Sequence, residues 1–132
     1  MAPTAGAETY RTLAAETASG PQLLVMLYER LTGDVAAGAD AIDAGDDLFV
    51  ASQALIHAQQ IIQVLRAALD PEGFAGATEL LAIYDFVERE LVQANLRKEA
   101  GRARACLQVL EPLRRAWSEA VEEVGRGMGA VA

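Results

Sequence analysis

Between residues 48 and 69 the apolar side chains Leu48, Ala51, Leu55, Ala58, Ile62, Leu65 and Leu69 recur at steps of 3, 4, 3, 4, 3 and 4. A strand alternates its faces every second residue, so this spacing excludes a strand and dictates one long helix with a heptad seam. Such a helix is not stable alone; its stripe must be buried against other helices. Three further segments repeat the pattern. Leu24, Tyr28, Leu31, Val35, Gly38 and Ile42 keep one face inward on a first helix that starts after Ser19, with Pro21 tolerated in its first turn. Leu80, Tyr84, Val87, Leu91 and Ala94 do so on a third, from about Thr78 to Leu96. Ala103, Cys106, Leu110, Leu113, Trp117, Ala120 and Val124 form the seam of a fourth.

The breaks between them are equally explicit. Ala44-Gly45-Asp46 ends the first helix, with Gly45 as the left-handed residue and Asp46 as the cap of the second. Asp70-Pro71-Glu72-Gly73 is a strong turn, and Arg97 to Gly101 is the third break. Gly33 and Gly38, inside the first helix, each cost about 1 kcal/mol relative to alanine. They either admit a close neighbour or are plain defects. Pro112 removes a donor inside the fourth helix, so the spacing predicts a kink there and no fifth element. The expected fold is all-α, an antiparallel up-down-up-down four-helix bundle over 19–124. A mobile N-terminal arm over 1–18 and a flexible tail over 125–132 flank it.

Composition agrees with one helical domain. The chain has 132 residues, 52% of them hydrophobic, but only 5% aromatic, and 27 are alanine. The formal net charge is −8, with 4 basic and 14 acidic residues before position 97, against 7 and 5 after it. An acidic domain lacks the basic face that phosphate contacts need, so no nucleic-acid partner is expected. Arg97, Lys98, Arg102 and Arg104, followed by Arg114 and Arg115, read as a solvated face that complements the acidic first three helices. The opening residues carry no secretory signal pattern, and no apolar run approaches the roughly 18 residues of a membrane span. The expected compartment is the cytoplasm.

Chemistry is sparse. His57 is the only histidine, and Ala54 stands three residues before it, so a Glu-x-x-His di-metal site cannot form. A lone Cys106 excludes an intramolecular disulfide and falls on the fourth seam, where a buried, inert thiol is expected. No catalytic residues, metal ligands or cofactor site emerge. Apolar surface, by contrast, is in excess. The second helix carries a second stripe, Val50, Ala54, Ile61, Val64 and Ala68, passing through His57 and widened by Ile56 and Phe49. A chain this small has little interior for it. A generous core, a homodimer, or an apolar partner segment would each account for it.

In order and spacing, the chain resembles the FliS family of flagellar export chaperones over nearly all of 10–120. The likeness begins with Tyr10, followed by Thr17-Ala18-Ser19 and Leu24 through Met26-Leu27-Tyr28. It continues through Ala44-Gly45-Asp46, Leu55-Ile56, Ala58-Gln59, Ile61-Ile62, Leu65-Arg66 and Leu69-Asp70. Tyr84-Asp85-Phe86, Arg89, Leu91 and Ala94-Asn95-Leu96 follow, then Leu110, Leu113-Arg114, Ala116-Trp117 and Glu119-Ala120. Three positions depart from the family pattern. Gly20 stands where proline is frequent, His57 where lysine is, and Val64 where an acidic residue is.

The resemblance implies a non-enzymatic cytoplasmic chaperone whose client is the disordered C-terminal segment of flagellin. Binding would block premature polymerisation and keep the client competent for type III flagellar export. Candidate client contacts are Ile61 and Val64 on the second stripe, Gln60 at its edge, and Tyr84, Glu88 and Asn95 on the third helix. A core role is open for Tyr84. In the family the N-terminal arm can fold back over the client groove, which would make Tyr10 and Leu13 a displaceable cap. Other flagellar export or regulatory proteins are further expected partners. The alternative is a self-associating helical adaptor whose extra faces form a homodimer.

Overall fold

The computed structural model describes the chain from Gly20 to Val131, and side chains as far as Arg126. Four helices follow one another: α1 (Gly20–Ala44), α2 (Leu48–Ala68), α3 (Ala77–Arg97) and α4 (Ala100–Val131). Contacts run α1 to α2, α2 to α3, α3 to α4 and α4 back to α1, which closes a four-membered ring. Short connections between consecutive neighbours make the arrangement an antiparallel bundle. Ser19, the arm over 1–18 and its Tyr10 and Leu13 lie outside the described residues.

The helix ends follow from local chemistry. Gly45 takes φ +70° and donates its N–H to the Ala41 carbonyl at 3.1 Å. The cap of α2 is Asp47, not the expected Asp46. The Asp47 carboxylate accepts from the backbone N–H of Phe49 at 2.9 Å and of Val50 at 3.3 Å. In the next connection the Asp70 side chain accepts from Glu72 N–H at 3.0 Å, and the Asp70 carbonyl from Gly73 N–H at 2.9 Å. Lys98 closes α3 in the left-handed region at φ 53°, where glycine is the usual choice. Its ammonium donates to Ser52 Oγ at 2.8 Å and to Asn95 O and Oδ1 at 2.7 Å. Those bonds offset the backbone cost and tie the end of α3 to α2.

Each seam delivers its core. Tyr28, Leu31, Val35 and Ala39 are buried on α1, and Leu55, Ala58, Ile62 and Leu65 on α2. Leu80, Tyr84, Val87, Leu91 and Ala94 are buried on α3, and Ala103, Cys106 and Leu110 on α4. Each buried large aliphatic side chain contributes about 1.5–3 kcal/mol. The close-approach reading of the glycines holds at one position only. A Cβ on Gly38 would meet Leu55 Cδ2 at 2.6 Å, whereas one on Gly33 would meet nothing within 4 Å.

Four expectations are corrected. Leu48, placed on the α2 seam, is exposed, because the first turn stands at the end of the bundle. The α4 seam outruns the buried core: Ala120 and Val124 are exposed and line an open apolar groove with Gly20 and Pro21 at the start of α1. The helix itself continues to Val131, past the expected end at Val124, and runs through Pro112 without a new element. Finally, α2 is long and apolar enough on average to meet the criterion for a membrane span, although no single apolar run is. The buried face of Ala51, Leu55, Ala58, Ile61, Ile62 and Leu65 supplies part of that apolarity, and exposed Phe49, Val50 and Ile56 supply more.

Candidate functional site

The side of α2 that faces α3 is fastened by polar contacts. Ser52 Oγ donates to Asn95 Oδ1 at 2.9 Å, Gln63 Nε2 to Glu88 Oε1 at 3.5 Å, and Arg66 pairs with Asp85 at 2.6 Å. Arg66 also lies 3.9 Å from Glu88. Arg66, Asp85, Glu88, Arg89, Val92 and Gln93 line a shallow polar cleft of about 570 Å³ there. The side of α2 that faces α1 carries His57, whose Nδ1 is hydrogen-bonded to Asp34 Oδ2, with Arg30 on the other carboxylate oxygen at 3.5 Å. His57 therefore sits half-buried on the rim.

Between these two fastened sides runs a row of which Gln63 alone is given a bond to a neighbouring helix, to Glu88. Phe49, Gln53, Ile56, Gln60, Gln63 and Ala67 follow one another at steps of 4, 3, 4, 3 and 4, and all six are exposed. Phe49 is 68% and Ile56 46% exposed. No member of the row is charged. Across all twenty-one residues of α2, Arg66 alone carries a permanent charge. The outward faces of the other helices, by comparison, carry Glu29 and Asp40, Arg89 and Arg97, and Arg115 and Glu119. A solvated helix face normally carries charge. This one is built like a contact surface.

The expected site residues divide accordingly. Gln60 is exposed on the row, and Val64 is half-buried beside it, toward α1. Glu88 and Asn95 are half-buried on the α3 side, each bonded to α2. Ile61 is corrected: it is 1% exposed and belongs to the core, because α2 is flanked by two helices and its buried arc is wide enough to include both Ile61 and Ile62. Tyr84 is corrected likewise, its hydroxyl bonded to that of Tyr28 inside the bundle at 2.7 Å. The residues that sequence reasoning left at the margin are Phe49 and Ile56. Their signal was present, as a third helical row free of charge.

A second apolar surface lies at the far end. Gly20, Pro21, Leu24, Trp117, Ala120, Val121 and Val124 line a groove of about 340 Å³ between the start of α1 and the exposed stretch of α4. Trp117 packs obliquely on Tyr28 at 6.4 Å between ring centres. Its buried Nε1–H lies near Tyr28 without an acceptor in hydrogen-bond geometry.

Groups capable of chemistry are otherwise engaged. Cys106 is buried and donates weakly to the Val87 carbonyl at 3.8 Å, and burial pushes its thiol up to about 12. Arg104 pairs with Asp43 at 2.5 Å and Asp40 at 3.3 Å, and Arg102 with Glu90 and Glu99 at 2.9 Å. Within the basic cluster, Arg102 and Arg104 thus reach acidic residues of α3 and α1. Among the described residues no three His, Cys, Asp or Glu side chains converge as a metal site would require.

The described residues thus define an all-α protein, an antiparallel four-helix bundle with an uncharged exposed row on α2. The chain belongs to the FliS family of flagellar secretion chaperones: the family model "Flagellar protein FliS" matches residues 3–124. The flagellar secretion chaperone FliS of Bacillus subtilis (strain 168) is 30% identical over 126 residues, covering 93% of each chain. Its counterpart in Salmonella typhimurium is 33% identical over 105 residues, covering 78% of this chain and 77% of that one. A bacterial flagellar chaperone crystal structure superposes with a TM-score of 0.70 at 18% identity, over 88% of this chain and 97% of that one, a likeness of fold.

Proposed function

We propose that this protein is a cytoplasmic, non-enzymatic chaperone that holds the disordered C-terminal segment of flagellin along the exposed face of α2. The observation that carries the reading is the uncharged row Phe49–Gln53–Ile56–Gln60–Gln63–Ala67. It spans 18 residue steps, about 27 Å of helix at 1.5 Å per residue. A disordered client loses roughly 2–5 kcal/mol on ordering, so it needs a long track of contacts and not a single pocket. Val64 and, across the row, Glu88 and Asn95 flank this track. Covering the segment blocks premature polymerisation and keeps it open for flagellar type III export.

The groove at Trp117 supports a role for the N-terminal arm. Gly20, the first described residue, lines that groove. Tyr10 and Leu13 are the arm's large apolar side chains past its first residue, suited to serve as a displaceable cover. Other flagellar export or regulatory proteins are the further partners of this reading.

Sedimentation of the protein alone, then with a synthetic flagellin C-terminal peptide, tests it. A monomer that takes up one peptide is the expected result. A stable dimer that ignores the peptide would instead make the row a self-association surface.

A further inference from the structure

We infer that the end of the bundle where α1 begins and the exposed stretch of α4 runs out is a docking surface for a basic amphipathic helix of a second protein. This surface is separate from the exposed row of α2 and serves a partner other than the client. Two apolar hollows meet there. The groove of about 340 Å³ along α1 and α4 adjoins a second hollow of about 170 Å³, which reaches Leu65, Leu69 and Phe74 at the α2–α3 connection. Leu24 and Trp117 line both, so the two are continuous. Phe74 is 51% and Val124 58% exposed, which leaves apolar surface open on both sides of a half-buried tryptophan. A helix laid across such a surface can fill both hollows with large apolar side chains from successive turns.

Charge selects the partner. The segments that build this end, 20–28, 67–81 and 117–126, carry the carboxylates of Asp70, Glu72, Glu79, Glu119, Glu122 and Glu123 against Arg126 alone. Asp70, Glu72, Glu79 and Glu123 are exposed and form no ion pair among the described residues. Glu72 stands two residues before Phe74, and Glu123 next to Val124, so negative charge lies close to both hollows. The fields of these carboxylates add, and they draw in and orient a cationic segment. Lys or Arg on the flanks of the docked helix then meets carboxylates while its apolar face fills the hollows. Other occupants lack that complement. A second copy of the chain brings the same carboxylates to the contact. The N-terminal arm has Glu8 and Glu16 against Arg11, which suits a displaceable cover and not a lasting occupant.

The test uses the full chain and a synthetic peptide of about 14 leucines and lysines, with leucine on one helical face and lysine on the other. Trp117 is the chain's only tryptophan and the peptide has none, so emission reports on this surface. The Leu-Lys peptide should shift that emission saturably, with affinity falling at least about tenfold between about 50 and about 300 mM salt. A Leu-Glu peptide of the same pattern should bind at least about tenfold more weakly. Phe74→Ala and Val124→Ser, both at exposed positions, should remain folded and bind about fivefold more weakly. Glu123→Lys should also cost about fivefold, whereas Asp46→Lys, the same charge change at the opposite end of the bundle, should change affinity less than about twofold. No saturable shift, equal binding of the two peptides, or full affinity in both apolar variants would overturn the inference. Equal losses from the two charge reversals would overturn it as well, reducing the effect to general attraction by an acidic protein. Emission that changes with protein concentration before any peptide is added would give the surface to a second copy and overturn it too.

Discussion

The hydroxyls of Tyr28 and Tyr84 meet at 2.7 Å across the diagonal of the bundle, joining α1 to α3, two helices that are not neighbours in the ring. Both side chains are essentially buried, and Trp117 packs on Tyr28 from α4. One phenol satisfies the other in a core that is otherwise nearly all apolar. The bond fixes which faces of α1 and α3 look at each other, which apolar contacts alone specify less sharply.

Tyr84→Phe should therefore destabilise the bundle by about 1–3 kcal/mol, because it strands the Tyr28 hydroxyl. Tyr28→Phe combined with Tyr84→Phe should restore part of that loss, since both polar groups then leave together. Urea melts of the three variants check this. A double variant less stable than either single one would show that the hydroxyls serve elsewhere.

Burial pushes both phenols up, Tyr28 against smaller opposing influences of Tyr84 and Trp117. The folded state thus keeps protons that the unfolded chain releases near the ordinary tyrosine value of about 10. Stability from this source is complete below that pH and is lost as pH rises through it. Ultraviolet titration should show Tyr28 and Tyr84 ionising only as the helix signal collapses. Normal titration of all the tyrosines with the fold intact would contradict the buried pair.

Cys106 follows the same sign. Its thiol, raised to about 12 by burial and secondarily by the charge of Glu90, should resist a thiol reagent at pH 8 and react at once in denaturant. Its contribution to stability is present below the ordinary thiol range and fades above it. Rapid modification of the native protein would place Cys106 at the surface and α4 in a different rotation.

Gly38 and Gly33 should respond in opposite directions to the same change. Gly38→Ala drives a methyl into Leu55, a fully buried side chain that must then shift, and should cost about 1–3 kcal/mol. Gly33→Ala meets open space and should stabilise the helix by up to about 1 kcal/mol. Equal melting shifts in both variants would mean that α1 and α2 do not approach at Gly38.

The four helices were legible because each carried enough periodic apolar residues to define an inward face, and each break carried glycine, proline or a capping carboxylate. Rotational detail was less so. A helical wheel centres a stripe but does not give its width, and Ile61 lies at the edge of the α2 stripe that turns toward α1. Only the presence of two neighbours, one on each side, shows that the arc takes in Ile61 as well as Ile62. The opposite error occurs at Ala120 and Val124, where the apolar period continues on α4 although the side chains are exposed. The exposed row was readable in outline from Phe49 and Ile56. Its glutamines became informative only once the rows on either side proved to be fastened to α1 and α3.

Ile61→Asp should accordingly unfold the domain, because it buries a carboxylate in the core with no partner. A loss of several kcal/mol exceeds what a marginal domain of this size can absorb. A native-like melt for this variant would return Ile61 to the surface.

If the exposed face of α2 holds the client, Ile56→Asp must weaken the complex without unfolding the bundle. Ile56 is 46% exposed, so an aspartate there remains hydrated and the variant should melt like the parent protein. Against a flagellin C-terminal peptide, calorimetry should show affinity reduced by at least tenfold, about 1.4 kcal/mol, as an apolar anchor is replaced by a charge. Undiminished binding by a folded Ile56→Asp protein would contradict the account and place the client on another face of the bundle.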